Sequence, residues 1–71
     1  MENIVKISPV PIWHKYSLSI EEAAQYYGIG VKRLRSLVSE HVGDDFILEI
    51  GSHVRFKRKR FEEYLDSATV V

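Results

Sequence analysis

The hydrophobic positions along the chain predict three helices, each with one buried face. Ser19 and Glu22 form an S-x-x-E capping box that starts the first helix, and Gly28 ends it. Only the stretch "GIG" separates the first helix from the second, so the pair has a helix-turn-helix pattern in which Gly30 begins the second helix. Apolar residues recur at helical spacing in three sets: Ile20, Ala23, Ala24 and Tyr27; Val31, Leu34, Leu37 and Val38; Phe61, Tyr64, Leu65 and Ala68.

The segment "FILEIGSHVRFK", between the second and third helices, predicts a β-hairpin, because apolar and polar residues alternate in it. A two-residue loop would place Leu48 opposite Arg55. A three-residue loop, 51–53, pairs Leu48 with Phe56 and places Glu49 opposite Arg55. Because a slip of one residue turns every side chain to the other face, we predict the three-residue loop. Arg55 and the next alternate residue, Lys57, then point away from the core.

The N-terminal segment shows no helical period. We expect residues 1–10 to be a flexible lead, and residues 11–71 to form one domain. Pro9 and Pro11 favour extended backbone around them. We predict an extended arm in which Ile12 and Trp13 pack on the core, since a large aromatic dominates the core of a small domain. A base-stacking role for Trp13 is the alternative.

The distribution of charge along the chain is more informative than its overall composition. The 71 residues include ten Lys plus Arg and ten Asp plus Glu, a formal net charge of zero, and no cysteine. No apolar run is long enough to span a bilayer. Eight of the ten cations lie in two short stretches, 32–35 and 55–60. Such local basic patches, not the overall balance, indicate contact with a phosphate backbone.

No constellation of residues indicates catalysis, so we predict no enzyme, no metal and no cofactor. The three histidines are scattered without ligand spacing, and we expect a plain surface role for His14 and His41. The adjacent acids Glu21-Glu22 and Glu62-Glu63 point about 100° apart on a helix and do not converge. Of the neighbouring tyrosines, we expect Tyr27 in the core and Tyr26 half exposed.

Two helices, a hairpin and a third helix form the order of a winged helix-turn-helix domain of the α+β class. The strings "PIWHKYSLSIEEAAQYYGIGVKRLRSLVSE" and "FILEIGSHVRFKRKRFEEYLD" resemble the excisionases of Gram-positive conjugative transposons. More distantly, they are similar to winged-helix excisionase and MerR-type DNA-binding domains. The resemblance runs from about Pro11 to Asp66.

The resemblance implies a DNA-binding role for residues in three places. The second helix would face the major groove, the hairpin would be the wing, and the start of the third helix would hold phosphates. Fold stability does not explain cations at that start, because the helix dipole is already positive there. The candidate DNA-binding residues are Gly30, Lys32, Arg33, Arg35 and Ser36 on the helix, Ser52, His53, Arg55 and Lys57 on the wing, and Arg58, Lys59 and Arg60 after it.

The function that the resemblance implies is that of an architectural factor. It would bind sites near the ends of an integrated mobile element, bend the DNA and promote excision by a tyrosine-recombinase integrase. We expect a monomer in the bacterial cytoplasm, associated with the nucleoid through DNA, that fills several sites independently or cooperatively. The alternatives are a small MerR-like transcriptional regulator of a mobile element and an adaptor whose basic patch binds an acidic protein. Salt separates DNA binding from the adaptor, because phosphate contacts weaken steeply as salt rises.

Overall fold

The computed structural model describes residues 10–71, so the predicted lead over residues 1–10 lies almost wholly outside the described residues. A short 3-10 helix spans Ile12–His14. The strands are β1 (Ser17–Leu18), β2 (Ile47–Ile50) and β3 (His53–Lys57), and the helices are α1 (Ile20–Tyr27), α2 (Val31–Glu40) and α3 (Arg58–Ser67). The strands form one antiparallel sheet with β3 in the centre, between β1 and β2. No helix within residues 10–71 is both long enough and apolar enough to cross a membrane.

The helix-turn-helix pair forms as its local signals predict. The Ser19 hydroxyl accepts from the Glu22 backbone N–H at 3.1 Å, and the Glu22 carboxylate accepts from the Ser19 backbone N–H at 2.9 Å. Gly28 ends α1 with a φ of 70°, a left-handed conformation that glycine adopts without strain. Gly30 is the N-cap residue of α2. The predicted capping box and both boundaries of the turn are confirmed.

The predicted register of the hairpin is wrong. Ile50 pairs with His53, Leu48 with Arg55 and Ile47 with Phe56, so the loop has two residues. Gly51 begins that loop with a φ of 59°, and two-residue hairpin turns need a positive φ at this position.

The alternation that begins at Phe46 does not continue into the strand. Phe46 is buried, but it lies in the turn before β2, so its burial does not fix which strand residues face inward. Ile47 packs against the core in place of Leu48. Ile50 is 53% exposed on the other face, and Glu49 lies opposite Val54.

The N-terminal arm differs from the prediction in two ways. It contains a 3-10 turn and then a third strand, β1, which pairs Ser17 with Lys57 and Leu18 with Phe56. Ile12 packs against the core as expected, but Trp13 is 57% exposed, so its predicted burial is wrong. The arm contributes Leu18 of β1 to the core instead, where Leu18 is fully buried in one cluster with Phe56 and Phe61.

His41 is a structural residue, and the prediction of a plain surface role for it is wrong. Its ring lies 5.3 Å from Phe46 and 5.1 Å from Tyr64, centroid to centroid. Its Nδ1 lies 2.7 Å from an Asp44 carboxylate oxygen. His41 therefore closes the α2 end of the core against α3. His14 is exposed as predicted, Tyr26 is 40% exposed, and Tyr27 packs against the core.

Candidate nucleic-acid interface

The outward face of α2 carries the predicted cations. Lys32, Arg33 and Arg35 are all exposed, and Leu34 between them is fully buried, which fixes the orientation of the helix. Arg33 lies 3.7 Å from Glu40 and Arg35 lies 3.8 Å from Glu21, whereas Lys32 has no ion pair within residues 10–71. Exposed pairs of this kind are worth only about 0–1 kcal/mol. A phosphate could therefore replace the carboxylates at little cost.

Gly30 leaves the N-terminus of α2 open. Its φ is −62°, and a Cβ built on it would meet nothing within 4 Å. The glycine is therefore not required by the backbone conformation or by the packing of the fold. A side chain here would instead stand in the path of anything that approaches the first amides of α2. Ser36, six residues further along the chain, is partly buried.

A groove of about 510 Å³ separates α2 from the tip of the hairpin. We call it the helix–hairpin groove; Arg35 and Ser39 line it from α2, and Ser52, His53 and Arg55 line it from the hairpin. Ser52 and His53 are exposed at the tip. Of the predicted helix contacts, Arg35 lines this groove. Three of the predicted wing contacts line it as well, Ser52, His53 and Arg55, whereas Lys57 does not.

Arg55 makes its contacts within the protein. Its Nε donates to the Ser17 hydroxyl at 2.8 Å, and its Nη2 donates to the Ser17 carbonyl at 2.9 Å. Nη2 also lies 3.6 Å from a Glu22 carboxylate oxygen. The guanidinium therefore joins β3 to β1 and to the start of α1.

Glu22 is the acid at the centre of this arrangement. Burial raises the pKa of Glu22, but hydrogen bonds from Lys15 and the Ser19 backbone, and the charges of Lys15 and Arg55, outweigh burial. The net result is a pKa below the usual value of 4.5. Glu22 is consequently ionised at neutral pH and holds both cations in place.

Four cations occupy positions 57–60, at the start of α3. Arg58 makes its contacts inside the fold, and the other three are open to an external anion. Arg58 is only 13% exposed: it donates to the Lys15 carbonyl at 2.9 Å and pairs with Glu62 at 3.2 Å. Glu62 also accepts from the Tyr27 hydroxyl at 3.0 Å. Burial, then the hydrogen bond and charge of Glu62, raise the pKa of Tyr27. Arg58 thus belongs to a network that ties α1 to α3.

Of the other cations of this run, Lys59 and Arg60 are exposed and Lys57 is partly buried. Lys57 and Lys59 have no ion pair within residues 10–71, and Arg60 has one exposed pair with Glu63 at 3.4 Å. They line a second groove, of about 660 Å³, at the base of the hairpin. This hairpin-base groove and the helix–hairpin groove have no lining residue in common. The structure therefore places Lys57, from the predicted wing group, with the third group of contacts and apart from Arg35 and the hairpin tip.

Residues that the sequence did not indicate also line these grooves, among them Ser39, Glu21 and Tyr16. Ser39 lies one turn after Arg35, so helical periodicity could have placed it beside that arginine. Glu21 lies next to Arg35 in space, and no local pattern indicates that pair. Tyr16 lines the hairpin-base groove and is 73% exposed, which the sequence does not reveal because exposure depends on the fold.

The fold and the groove define a class of protein: a small winged helix-turn-helix domain with a cationic helix beside its wing. Comparison with known proteins is more specific. The family model described as the excisionase from transposon Tn916 matches residues 2–71. The excisionase from transposon Tn916 of Streptococcus agalactiae serotype V (strain ATCC BAA-611 / 2603 V/R) is 36% identical over 67 residues, which cover 94% of this chain and 100% of that protein.

The chain belongs to the Tn916 excisionase family. Membership in this family indicates a role in transposon excision, as an accessory DNA-binding recombination factor and not as an enzyme. The predicted family, fold class and absence of enzymatic activity are therefore confirmed. The predicted contact residues stay predictions.

Proposed function

We propose that the chain binds duplex DNA near the ends of its mobile element, with α2 in the major groove and the hairpin tip against the adjacent backbone. The observation that carries this proposal is the helix–hairpin groove, which Arg35 lines from α2 and Ser52 and His53 line from the hairpin tip, with residues 19–21 at the start of α1 also lining it. Long donors such as Lys32 and Arg35 suit base edges and phosphates in a major groove. The open N-terminus of α2 at Gly30 suits a phosphate that comes close to the backbone.

The hairpin tip has a positioning role in this proposal. Ser52 and His53 are short, exposed donors that reach phosphate but carry no base-specific geometry. Arg55 acts indirectly, because its donors hold β3 against β1 and so fix the direction of the hairpin. Sequence preference therefore comes from α2, and the tip contributes affinity for any sequence.

We further propose that bound copies bend the DNA in the bacterial cytoplasm and promote excision by a tyrosine-recombinase integrase. The support is membership in the excisionase family. One helix of ten residues reads only a few base pairs, so several neighbouring sites are needed for a specific complex. Circular-permutation gel shifts test the bend: an unbent duplex would remove the architectural part of the proposal.

Quantitative footprinting on the element ends tests the division of labour between helix and tip. Lys32→Ala and Arg35→Ala should flatten the difference between element-end sites and scrambled DNA. Ser52→Ala and His53→Ala should weaken both by the same factor. If the tip variants changed sequence preference while the helix variants did not, the assignment of α2 as the reading helix would be wrong.

A further inference from the structure

Two large aromatic side chains stand in solvent at the base of the hairpin. Trp13 is 57% exposed and Tyr16 is 73% exposed. Among residues 10–71, the one aromatic partner of the Trp13 ring is His14, edge-on at 6.1 Å, and the Tyr16 ring has no aromatic partner. A partner that covered these rings would remove their apolar surface from contact with water, which favours binding. Their exposure together therefore marks an interaction surface.

The backbone that carries these rings is firmly held. The Arg58 backbone N–H donates to the Tyr16 carbonyl at 2.9 Å, and the Arg58 side chain donates to the Lys15 carbonyl at 2.9 Å. On the other side, the Lys15 backbone N–H donates to the carbonyl of Ile12, which packs against the core. The backbone on both sides of the rings is therefore ordered before any partner arrives, which lowers the entropy cost of binding.

The hairpin-base groove beside the rings is cationic. Five cations line it, Lys15, Lys57, Arg58, Lys59 and Arg60, against the single carboxylate of Glu63. Lys15 and Arg58 have acid partners in the fold, which leaves Lys57, Lys59 and the exposed Arg60 to attract an external anion. Any ligand of this groove must carry negative charge together with a flat or apolar group.

The combination fits a protein better than a duplex. Trp, Tyr and Arg are the residues most enriched where protein interfaces gain their binding energy. A DNA backbone offers phosphates to the cations but, with its bases stacked inside the helix, offers only deoxyribose to the two rings. The groove also lies at the other end of β3 from the hairpin tip, about 14 Å away at about 3.4 Å per residue. A partner there would leave the helix–hairpin groove open.

We propose that the hairpin-base groove binds an acidic segment of a partner protein, with an apolar side chain against Trp13 and Tyr16 and carboxylates on Lys57 and Lys59. The partner's identity rests on the proposed function: in excision, the protein that must be recruited to the same DNA is the recombinase. The groove then joins the recombinase to a domain already fixed on the duplex, and the cations of this run serve recruitment and not DNA binding.

The test measures two affinities for each variant. Fluorescence anisotropy gives the affinity for an element-end duplex, and calorimetry gives the affinity for the purified integrase of the parent element without DNA. Trp13→Ala and Lys59→Ala should each weaken integrase binding about tenfold or more, as substitutions at the centre of an interface do, and leave duplex affinity within twofold. Tyr26→Ala is the matched control, because Tyr26 is a half-exposed aromatic outside the groove, and it should change neither affinity.

Three results would overturn the inference. In the first, the full chain does not bind the integrase without DNA. In the second, the variants bind it as the wild type does. In the third, Lys59→Ala lowers duplex affinity and reduces the salt slope by about one, which would make Lys59 a phosphate contact. A failure of the proposed function is separate, since it appears as absent duplex binding by the wild type.

Discussion

Replacing Arg55 tests whether this cation stabilises the fold or contacts DNA. The guanidinium makes two hydrogen bonds to Ser17, at 2.8 and 2.9 Å, and the side chain is 32% exposed. Hydrogen bonds to a charged group contribute about 1.5–3 kcal/mol each when buried, and partial exposure reduces this because water replaces part of the loss. Arg55→Ala should therefore lower the free energy of unfolding by about 2 kcal/mol.

Lys57 provides the matched control for this experiment. It is the next alternate residue on β3, but it has no ion pair within residues 10–71. Lys57→Ala should change stability by no more than about 0.5 kcal/mol. Arg55→Lys should recover less than half of the loss, because an ammonium cannot reproduce the two-pronged geometry.

Urea and thermal unfolding followed by circular dichroism measure these differences. A loss of about 2 kcal/mol corresponds to a fall of roughly 8–16 °C in Tm for a domain of this size. A double-mutant cycle with Ser17→Ala should show a coupling of at least about 0.5 kcal/mol. If Arg55→Ala and Lys57→Ala were equally stable, Arg55 would not join β3 to β1 and its role in positioning the hairpin would be refuted.

Three further predictions concern single residues. Gly30→Ala should lower duplex affinity severalfold but cost no more than about 1 kcal/mol of stability, since its backbone tolerates a side chain; unchanged affinity in a gel shift would show that no phosphate approaches the α2 amides. Glu21→Gln should raise duplex affinity, because it removes the carboxylate 3.8 Å from Arg35; anisotropy that shows no gain or a loss would contradict this. Because the pKa of Glu22 is lowered in the fold, its stabilisation is present above the unfolded value and lost as pH falls through the folded value. Glu22→Gln should therefore be less stable than wild type at pH 7, and the gap should narrow in acid unfolding curves.

The helices could be predicted from the sequence because their signals are local. The Ser19–Glu22 capping box and the left-handed Gly28 lie within one or two turns of the helix ends that they determine. The faces of α1 and α2 follow from helical periodicity, and burial of Ala23, Leu34 and Leu37 confirms them. Signals close in the sequence were therefore sufficient to predict α1, α2 and their buried faces.

The hairpin and the N-terminal arm could not be predicted as well, because non-local contacts decide them. The turn at Gly51 set the register against the alternation of Leu48 and Ile50. Strand β1 has two residues, too few for a pattern, and it forms only because β3 offers a free edge. The candidate site shows the same division: periodicity places the cations of α2, but only the fold shows that Arg55 and Arg58 have internal partners.

The salt dependence of duplex binding shows whether the cations of α2 hold the domain on DNA phosphates. Affinity for an element-end duplex would be measured by anisotropy between about 50 and 200 mM salt. Each α2 cation that neutralises a phosphate should contribute about −0.9 to the slope of log K against log salt, so the three cations of α2 set a limit of about −2.7. Arg33→Ala should reduce that slope by about one, since Lys32 and Arg35 are assigned to sequence reading. A flat salt response, or no affinity for DNA at the lowest salt, would contradict the account.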